Sequence, residues 1–121
     1  VFDASKLSFY AATCYTWLGD GEHAREHAAQ VISQCLEVPG QVRWPVRLAE
    51  TRVDLGLVAA REGRIDEACD LGRHALASER KSGSTLGRVA ELDALLMRGH
   101  PGVGEVVDLH EQFEAARRAL I

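Results

Sequence analysis

The sequence predicts an all-α fold, an α–α superhelix of three antiparallel helical hairpins, and three observations carry this prediction. Apolar residues recur at steps of three and four along nearly the whole chain, and nothing alternates with a period of two over a strand's length. Apolar residues make up 46% and charged residues 26% of the 121 residues, a composition typical of globular helical proteins. Short connections with glycine separate six apolar segments, which predicts that successive helices are antiparallel neighbours.

The first predicted hairpin occupies the N-terminal third of the chain. Its first helix runs from about Ala4 to Leu18 and ends at Gly19-Asp20. Its second helix runs from about Glu22 to Glu37, before Val38-Pro39-Gly40 breaks the helical pattern.

The second predicted hairpin begins near Pro45, because proline suits the first turn of a helix. Its first helix has an apolar stripe and stops at Gly63. The stripe consists of Val46, Ala49, Val53, Leu57 and Ala60. The partner helix carries apolar residues from Ile65 to Leu76 and ends before the polar segment 81–84.

The third predicted hairpin starts at Ser84, which we expect to cap the fifth helix. This helix reaches about Arg98, and a turn rich in glycine follows it. The sixth helix has the most regular apolar stripe, formed by Val106, Leu109, Phe113, Ala116 and Leu120.

An internal repeat supports the three-hairpin arrangement. A shift of 44 residues superimposes Gly19 on Gly63, Ala12 on Gly56, and Ala24 on Ala68. A further shift of 36 superimposes Gly63 on Gly99 and puts Leu92 on Gly56. The pattern resembles the tetratricopeptide repeat, with a small residue late in the first helix, glycine at the turn, and alanine early in the second. Small residues should therefore be buried where the helices of a pair cross.

A second resemblance is carried by four segments, Arg47–Gly56, Asp66–Cys69, Ser82–Thr85 and Ala90–Asp93. They are similar to the C-terminal repeat region of actinobacterial helix-turn-helix transcriptional regulators. The resemblance implies a regulatory domain for sensing or self-association that follows a DNA-binding domain. We expect residues 1–121 to form one repeat domain within a longer protein.

The tetratricopeptide resemblance also implies a concave groove lined by the first helix of each pair. By register the candidate ligand or partner residues are Phe9, Thr13, Trp17, Glu50, Val53, Leu57, Arg61, Asp93 and Met97. A trough of aromatic, apolar and charged side chains suits a peptide or a partner helix. The alternative is that Phe9, Val53 and Leu57 fill the core. The family's carboxylate-binding version uses Lys and Asn, and the absence of Asn disfavours that ligand class.

A competing function is indicated by His23-Ala24-Arg25-Glu26-His27, which matches the His-x-x-Glu-His signature of inverted zinc peptidases. On a helix the two histidines could reach one metal ion, with Glu26 as base. Ala24 is expected to face the partner helix, however, which predicts that both imidazoles point outward as solvated surface residues. We therefore predict no catalytic residue, metal or cofactor.

Charge, apolar stretches and cysteine spacing indicate which classes of partner and which cellular location to expect. A net charge of −4 argues against direct binding of nucleic acid, and the apolar stretches are too short to cross a bilayer. Cys14, Cys35 and Cys69 are widely spaced, which indicates reduced, semi-buried thiols in a cytoplasmic protein. The predicted function is thus a non-enzymatic module that binds a protein or peptide or forms a homodimer. The alternative within this class is a free-standing scaffold.

Overall fold

The computed structural model describes residues 4–78 and 81–120, and the described residues form six α-helices and no strand. The helices are α1 (Ala4–Leu18), α2 (Gly21–Cys35), α3 (Pro45–Arg61), α4 (Ile65–Leu76), α5 (Gly83–Gly99) and α6 (Gly104–Leu120). The all-α prediction is confirmed, and most helix ends lie within two residues of their predicted positions. Residues 1–3, 79–80 and 121 of the predicted domain lie outside the described part. No helix in that part has the length and apolar character needed to cross a membrane.

The turns after α1 and α3 have the same backbone geometry, in agreement with the 44-residue repeat. Gly19 and Gly63 adopt φ values of 78° and 80°, the left-handed region that glycine enters without a steric cost. In each turn the residue after the glycine donates to a carbonyl five residues earlier. Asp20 bonds Tyr15 at 2.9 Å, and Arg64 bonds Ala59 at 2.8 Å. These bonds satisfy carbonyl groups at the ends of the two helices.

The cap of α5 differs from the prediction. Ser82, not Ser84, has extended backbone and accepts a hydrogen bond from the Thr85 amide at 3.0 Å. Ser84 lies inside the first turn, where its hydroxyl donates to Glu50 of α3 instead. Helix α5 therefore begins earlier than expected, because the serine with non-helical backbone is the one able to cap.

The helices pack as successive pairs that also contact across pairs. Helix α1 packs on α2, α3 on α4, and α5 on α6. Helix α3 is central, since it also contacts α1, α2 and α5, and α4 also contacts α5 and α6. The main core lies between α3, α4, α5 and α6, and a smaller one, which includes Val31, Cys35 and Leu48, joins α2 to α3.

The small residues expected at helix crossings are all buried. They are Ala12, Ala24, Gly56 and Ala68. A Cβ atom added at Gly56 would lie 2.9 Å from Cδ2 of Leu92 and 3.5 Å from the carbonyl oxygen of Ala68. A side chain at position 56 would therefore displace Leu92, because α4 and α5 both approach α3 there. This part of the sequence prediction is confirmed.

The three cysteines are free thiols in different environments. Cys35 and Cys69 are buried, and burial raises the pKa of both thiols. Cys14 is exposed on α1, in contrast to the semi-buried position expected from the sequence.

Candidate partner-binding face

The nine predicted groove residues divide into three classes by exposure. Trp17 and Arg61 are exposed, and Phe9 and Met97 are half-buried. The other five are buried, namely Thr13, Glu50, Val53, Leu57 and Asp93. The exposed pair is directly accessible to a ligand, and the buried set takes part in internal contacts.

Val53 and Leu57 are core residues, as the alternative interpretation held. Val53 does not project into an open groove, and Leu57 reaches only the floor of the cleft described below. Val53 is 0% and Leu57 4% exposed, and both pack in the main core. The reason is the central position of α3, which packs against α1, α2, α4 and α5. Apolar spacing in the sequence cannot distinguish a groove face from a face that another helix covers.

Thr13 belongs to a buried polar cluster that joins the first helices of the three pairs. The Thr13 hydroxyl donates to Oδ2 of Asp54 at 2.8 Å. Arg88 of α5 donates through Nη1 to Oδ1 of Asp54 at 2.8 Å and to the Thr13 hydroxyl at 3.1 Å. One arginine therefore bridges α5, α3 and α1.

Glu50 extends this cluster toward the start of α5. Its Oε1 accepts from the Ser84 hydroxyl and lies 3.6 Å from Nε of Arg88. The Asp54 cluster, defined as Thr13, Glu50, Asp54, Ser84 and Arg88, thus contains two carboxylates and one guanidinium. Burial raises the pKa of Asp54 to about 6, although the Arg88 charge and the Thr13 hydrogen bond act in the opposite direction.

The Asp54 cluster sets the relative position of three helices and does not present a catalytic acid. Asp54 is 1% exposed, which leaves no room for a substrate at its carboxylate. Removal of one partner from a buried ion pair of this kind is strongly destabilising, because it leaves an uncompensated buried charge. Phe9 borders the cluster, with its ring centroid 5.9 Å from the Arg88 guanidinium and 5.7 Å from that of Arg47.

Asp93 pairs with a histidine instead of facing a ligand. Its Oδ2 lies 2.8 Å from Nδ1 of His110, which joins α5 to α6. The hydrogen bond and charge of Asp93 raise the pKa of His110. Met97 lies four residues further along α5, where it packs against the main core.

An open cleft lies where the C-terminal turns of α1, α3 and α5 come together. Its volume is about 310 Å³, and it is lined by Trp17, Leu57, Arg61, Glu91, Ala94, Leu95 and Arg98. Trp17 is 65% exposed, so most of its indole surface contacts solvent. Arg61 donates from Nη1 to the Thr16 carbonyl, which satisfies a group near the end of α1. We call these seven residues the C-terminal cleft.

Three of the nine predicted residues, Trp17, Leu57 and Arg61, therefore meet at one site, and the contribution of α5 was missed. Glu91, Leu95 and Arg98 line the cleft, whereas Asp93 and Met97 were expected to. Alignment of the glycines placed α5 at a shift of 36 residues from α3. In the structure, however, Arg88 bonds Asp54, and Leu95 lines the same cleft as Arg61, and the residues of each pair are 34 positions apart. A periodicity of 34 is the signal that would have indicated the correct face of α5.

The two histidines of the His-x-x-Glu-His segment stack on one aromatic ring of α1. The ring centroids of His23 and His27 lie 5.0 Å and 5.6 Å from that of Tyr15. His23 is exposed and bonds Asp20 at 2.8 Å, and this partner raises the pKa of His23. His27 is half-buried, and its Nδ1 atom is buried without a hydrogen-bond partner. The expectation that both imidazoles point into solvent is thus wrong for His27, because Tyr15 covers it.

Among the described residues, no three His, Cys, Asp or Glu side chains are placed to hold one metal ion. Comparison of the chain with protein-family models, curated proteins and solved structures finds no match.

Proposed function

We propose that this protein is a partner-binding module of the tetratricopeptide type, whose C-terminal cleft binds a peptide or a partner helix. Support for the superhelical arrangement comes from contacts of α3 with both α1 and α5 and from matching turns 44 residues apart. Stacked hairpins of this type present the first helix of each pair on one face. The cleft is formed by those helices.

The observation that carries the proposal is Trp17, a tryptophan that is 65% exposed beside a concave site. Aromatic side chains supply a large share of binding energy when a partner covers them. The half-buried Leu95 provides apolar surface next to it, and Arg98 provides a positive charge at the rim. The chemistry matches a short helix or peptide with an apolar anchor followed by an acidic residue.

Tryptophan fluorescence tests this proposal. Peptides are selected from a random library on the purified protein and then titrated into Trp44→Phe, in which Trp17 is the remaining tryptophan. A peptide bound in the cleft should change the Trp17 emission with a saturable dependence on concentration. Trp17→Ala should weaken binding by at least about 2 kcal/mol, roughly thirtyfold, without a comparable loss of stability.

The matched control compares two exposed arginines at the ends of different helices. Arg98→Ala removes a charge from the cleft, and Arg118→Ala removes one from α6 outside it. The first variant should bind acidic peptides less tightly, and the second should bind them like the wild type. Selected peptides that bind Trp17→Ala and Arg98→Ala at wild-type affinity would disprove the cleft assignment.

The biological setting that we propose is the regulatory domain of a bacterial transcriptional regulator, active through partner binding or self-association. The support is the resemblance carried by the Arg47–Gly56 segment, which here forms the central helix of the fold. The alternative is a free-standing scaffold with the same cleft. The coding sequence ahead of Val1 decides between them, since only the regulator requires a DNA-binding domain there.

A further inference from the structure

Helix α1 exposes an apolar stripe on the side away from α3. Leu7, Tyr10 and Leu18 are 60%, 53% and 77% exposed, and Cys14 between them is exposed as well. Their spacings of three, four and four residues place them on one side of the helix. We call these four residues the head face, and Trp17 lies at its border with the C-terminal cleft. Contiguous apolar surface of this kind usually marks a contact site.

The 44-residue repeat identifies the positions of the second pair that correspond to the head face of α1. The positions that correspond to Tyr10, Cys14 and Leu18 are Asp54 and Val58 of α3 and Glu62, which directly follows α3. Each of these three contacts the preceding pair. Asp54 accepts from Thr13, Glu62 binds Arg25 at 2.7 Å, and a Cβ atom at Gly21 would lie 3.1 Å from Cγ1 of Val58. On α3 this side is therefore an interface with the hairpin before it.

Helix α5 repeats this arrangement at a shift of 34 residues. Asp54 and Val58 correspond to Arg88 and Leu92. Arg88 bonds Asp54, and Leu92 packs so closely on α3 that its Cδ2 would be 2.9 Å from a Cβ atom at Gly56. Two of the three pairs thus use the same side of their first helix to contact the preceding pair, and on α1 that side is open.

The opposite end of the molecule offers the complementary surface. On α3, helix α5 covers Val53, Gly56 and Leu57. The positions of α5 that correspond to them at the shift of 34 residues are Gly87, Ala90 and Glu91. Gly87 and Ala90 line an apolar hollow of about 330 Å³. The full lining is Gly83, Leu86, Gly87, Ala90, Phe113, Arg117 and Leu120, which we call the tail face.

The two end faces match in size and polarity. The head face projects two leucines and a tyrosine, whereas the tail face has glycines with open space around their Cα atoms. The head face carries no charged residue, and the one charged residue of the tail face, Arg117, already pairs with Glu114. A surface without charge and a surface whose one charge is already paired lose less solvation energy on contact than surfaces with unpaired charges.

We propose that the head face binds the tail face of a second copy of this chain, so that copies stack as further pairs of the same helical array. The contact is heterologous, because different surfaces of the two copies meet, and it leaves one head and one tail unoccupied in a dimer. Association therefore continues beyond the dimer as concentration rises. This inference does not depend on the peptide-binding function of the C-terminal cleft.

Complementation between two variants tests the stacking directly. The head variant carries Leu7→Glu and Tyr10→Glu, and the tail variant carries Gly87→Glu and Leu120→Glu. All four positions are exposed, and a Cβ atom at Gly87 meets nothing within 4 Å, so both variants should keep the wild-type melting temperature. The control variant carries Leu36→Glu and Val42→Glu, two exposed apolar positions outside both faces.

Sedimentation velocity across a concentration series supplies the readout. The wild type and the control should form species beyond the monomer, and each end variant alone should associate at least tenfold more weakly. An equimolar mixture of head and tail variants should form a one-to-one heterodimer, because the intact tail of the head variant binds the intact head of the tail variant. This heterodimer should not grow further, because both of its free ends carry the substitutions. Glutamine versions of both variants replace the glutamate versions if the latter melt below the wild type.

Three outcomes would overturn the proposal. A wild type that stays monomeric at high micromolar concentration would show that something other than a second copy covers α1. Association of the tail variant alone would indicate a head-to-head contact, and association of the head variant alone a tail-to-tail contact. The selected peptides of the cleft experiment can be titrated into the monomeric head variant, so failure of stacking is distinguishable from failure of peptide binding.

Discussion

Replacing Arg88 with methionine should destabilise the protein more than most single substitutions do. Arg88 donates two hydrogen bonds within the Asp54 cluster, at 2.8 Å to Asp54 and 3.1 Å to Thr13. Methionine keeps much of the apolar stem but leaves the Asp54 carboxylate buried without its countercharge. Breaking a buried pair by removal of one partner costs about 3–5 kcal/mol. We expect a loss of that size at pH 7.5.

The loss should depend on pH, because Asp54 can take up a proton. Its pKa is about 6 in the folded protein and about 3.8 ordinarily, so the folded state binds more protons between these values. The contribution of Asp54 to the free energy of unfolding of the wild type is therefore highest below pH 4. It falls as the pH rises to 6 and is constant above pH 6. The shift corresponds to about 3 kcal/mol. Without Arg88 the pKa of Asp54 rises further, so the free energy of unfolding continues to decrease up to a higher pH.

Urea unfolding at pH 5 and pH 7.5 measures both effects. The free energy of unfolding is compared for the wild type, Arg88→Met, Asp54→Asn and the double variant. Arg88→Met should lose clearly less at pH 5, where Asp54 is protonated, than at pH 7.5. The double variant should recover at least half of the loss at pH 7.5, because no uncompensated charge remains at position 54.

Two results would refute this reasoning. A loss below about 1 kcal/mol for Arg88→Met at pH 7.5 would show that Arg88 does not compensate the Asp54 charge. An equal loss at both pH values, with no recovery in the double variant, would mean that Arg88 acts through packing of its stem alone.

Three further predictions concern other parts of the fold. Ala68→Leu should overpack the crossing of α3 and α4 and cost on the order of 1–3 kcal/mol in urea unfolding. A variant that melts like the wild type would contradict the repeat register. The pKa of His110 is raised by Asp93, so this pair stabilises the fold at pH 6 and loses its contribution as pH rises through the raised pKa. The melting temperatures of wild type and His110→Ala should therefore converge between pH 6 and pH 9. Elemental analysis should find no stoichiometric zinc, and one zinc per chain that is lost in His23→Ala with His27→Ala would favour the hydrolase.

The helices and their crossings were predictable because local signals determine them. Gly19 and Gly63 adopt the left-handed backbone that ends α1 and α3, and small residues such as Ala68 and Gly56 indicate close approach of backbones. The choice between Ser82 and Ser84 as the cap of α5 was not predictable in the same way. Serine is a good capping residue at either position. In the structure Ser82 accepts from the Thr85 amide and is the cap, whereas Ser84 donates to Glu50.

The candidate site was predicted only in part. Trp17 and Arg61 were expected on the surface and are exposed there, but Val53 was expected in the groove and is covered by α5. Apolar spacing alone could not show that α5 covers Val53. The register of α5 caused a separate error, because alignment on Gly99 placed this helix two residues from the position that its contacts define. Asp93 and Met97 were therefore expected where Glu91 and Leu95 line the cleft. Helix α5 continues a turn beyond the point equivalent to the end of α3, so its final glycine is a poor reference for alignment.

The helical class, the six segments, the glycine turns and the small residues at the crossings could all be predicted from the sequence. Each of these follows from backbone conformation or residue size within about one helical turn. The packing of the helices was needed to show which sides of α1, α3 and α5 are covered, that Asp54 and Arg88 meet, and that, among the described residues, the head face is exposed and the tail face forms an open hollow. Those properties depend on how pairs of helices stack on one another, and residues 34 or 44 positions apart are brought together only by that stacking.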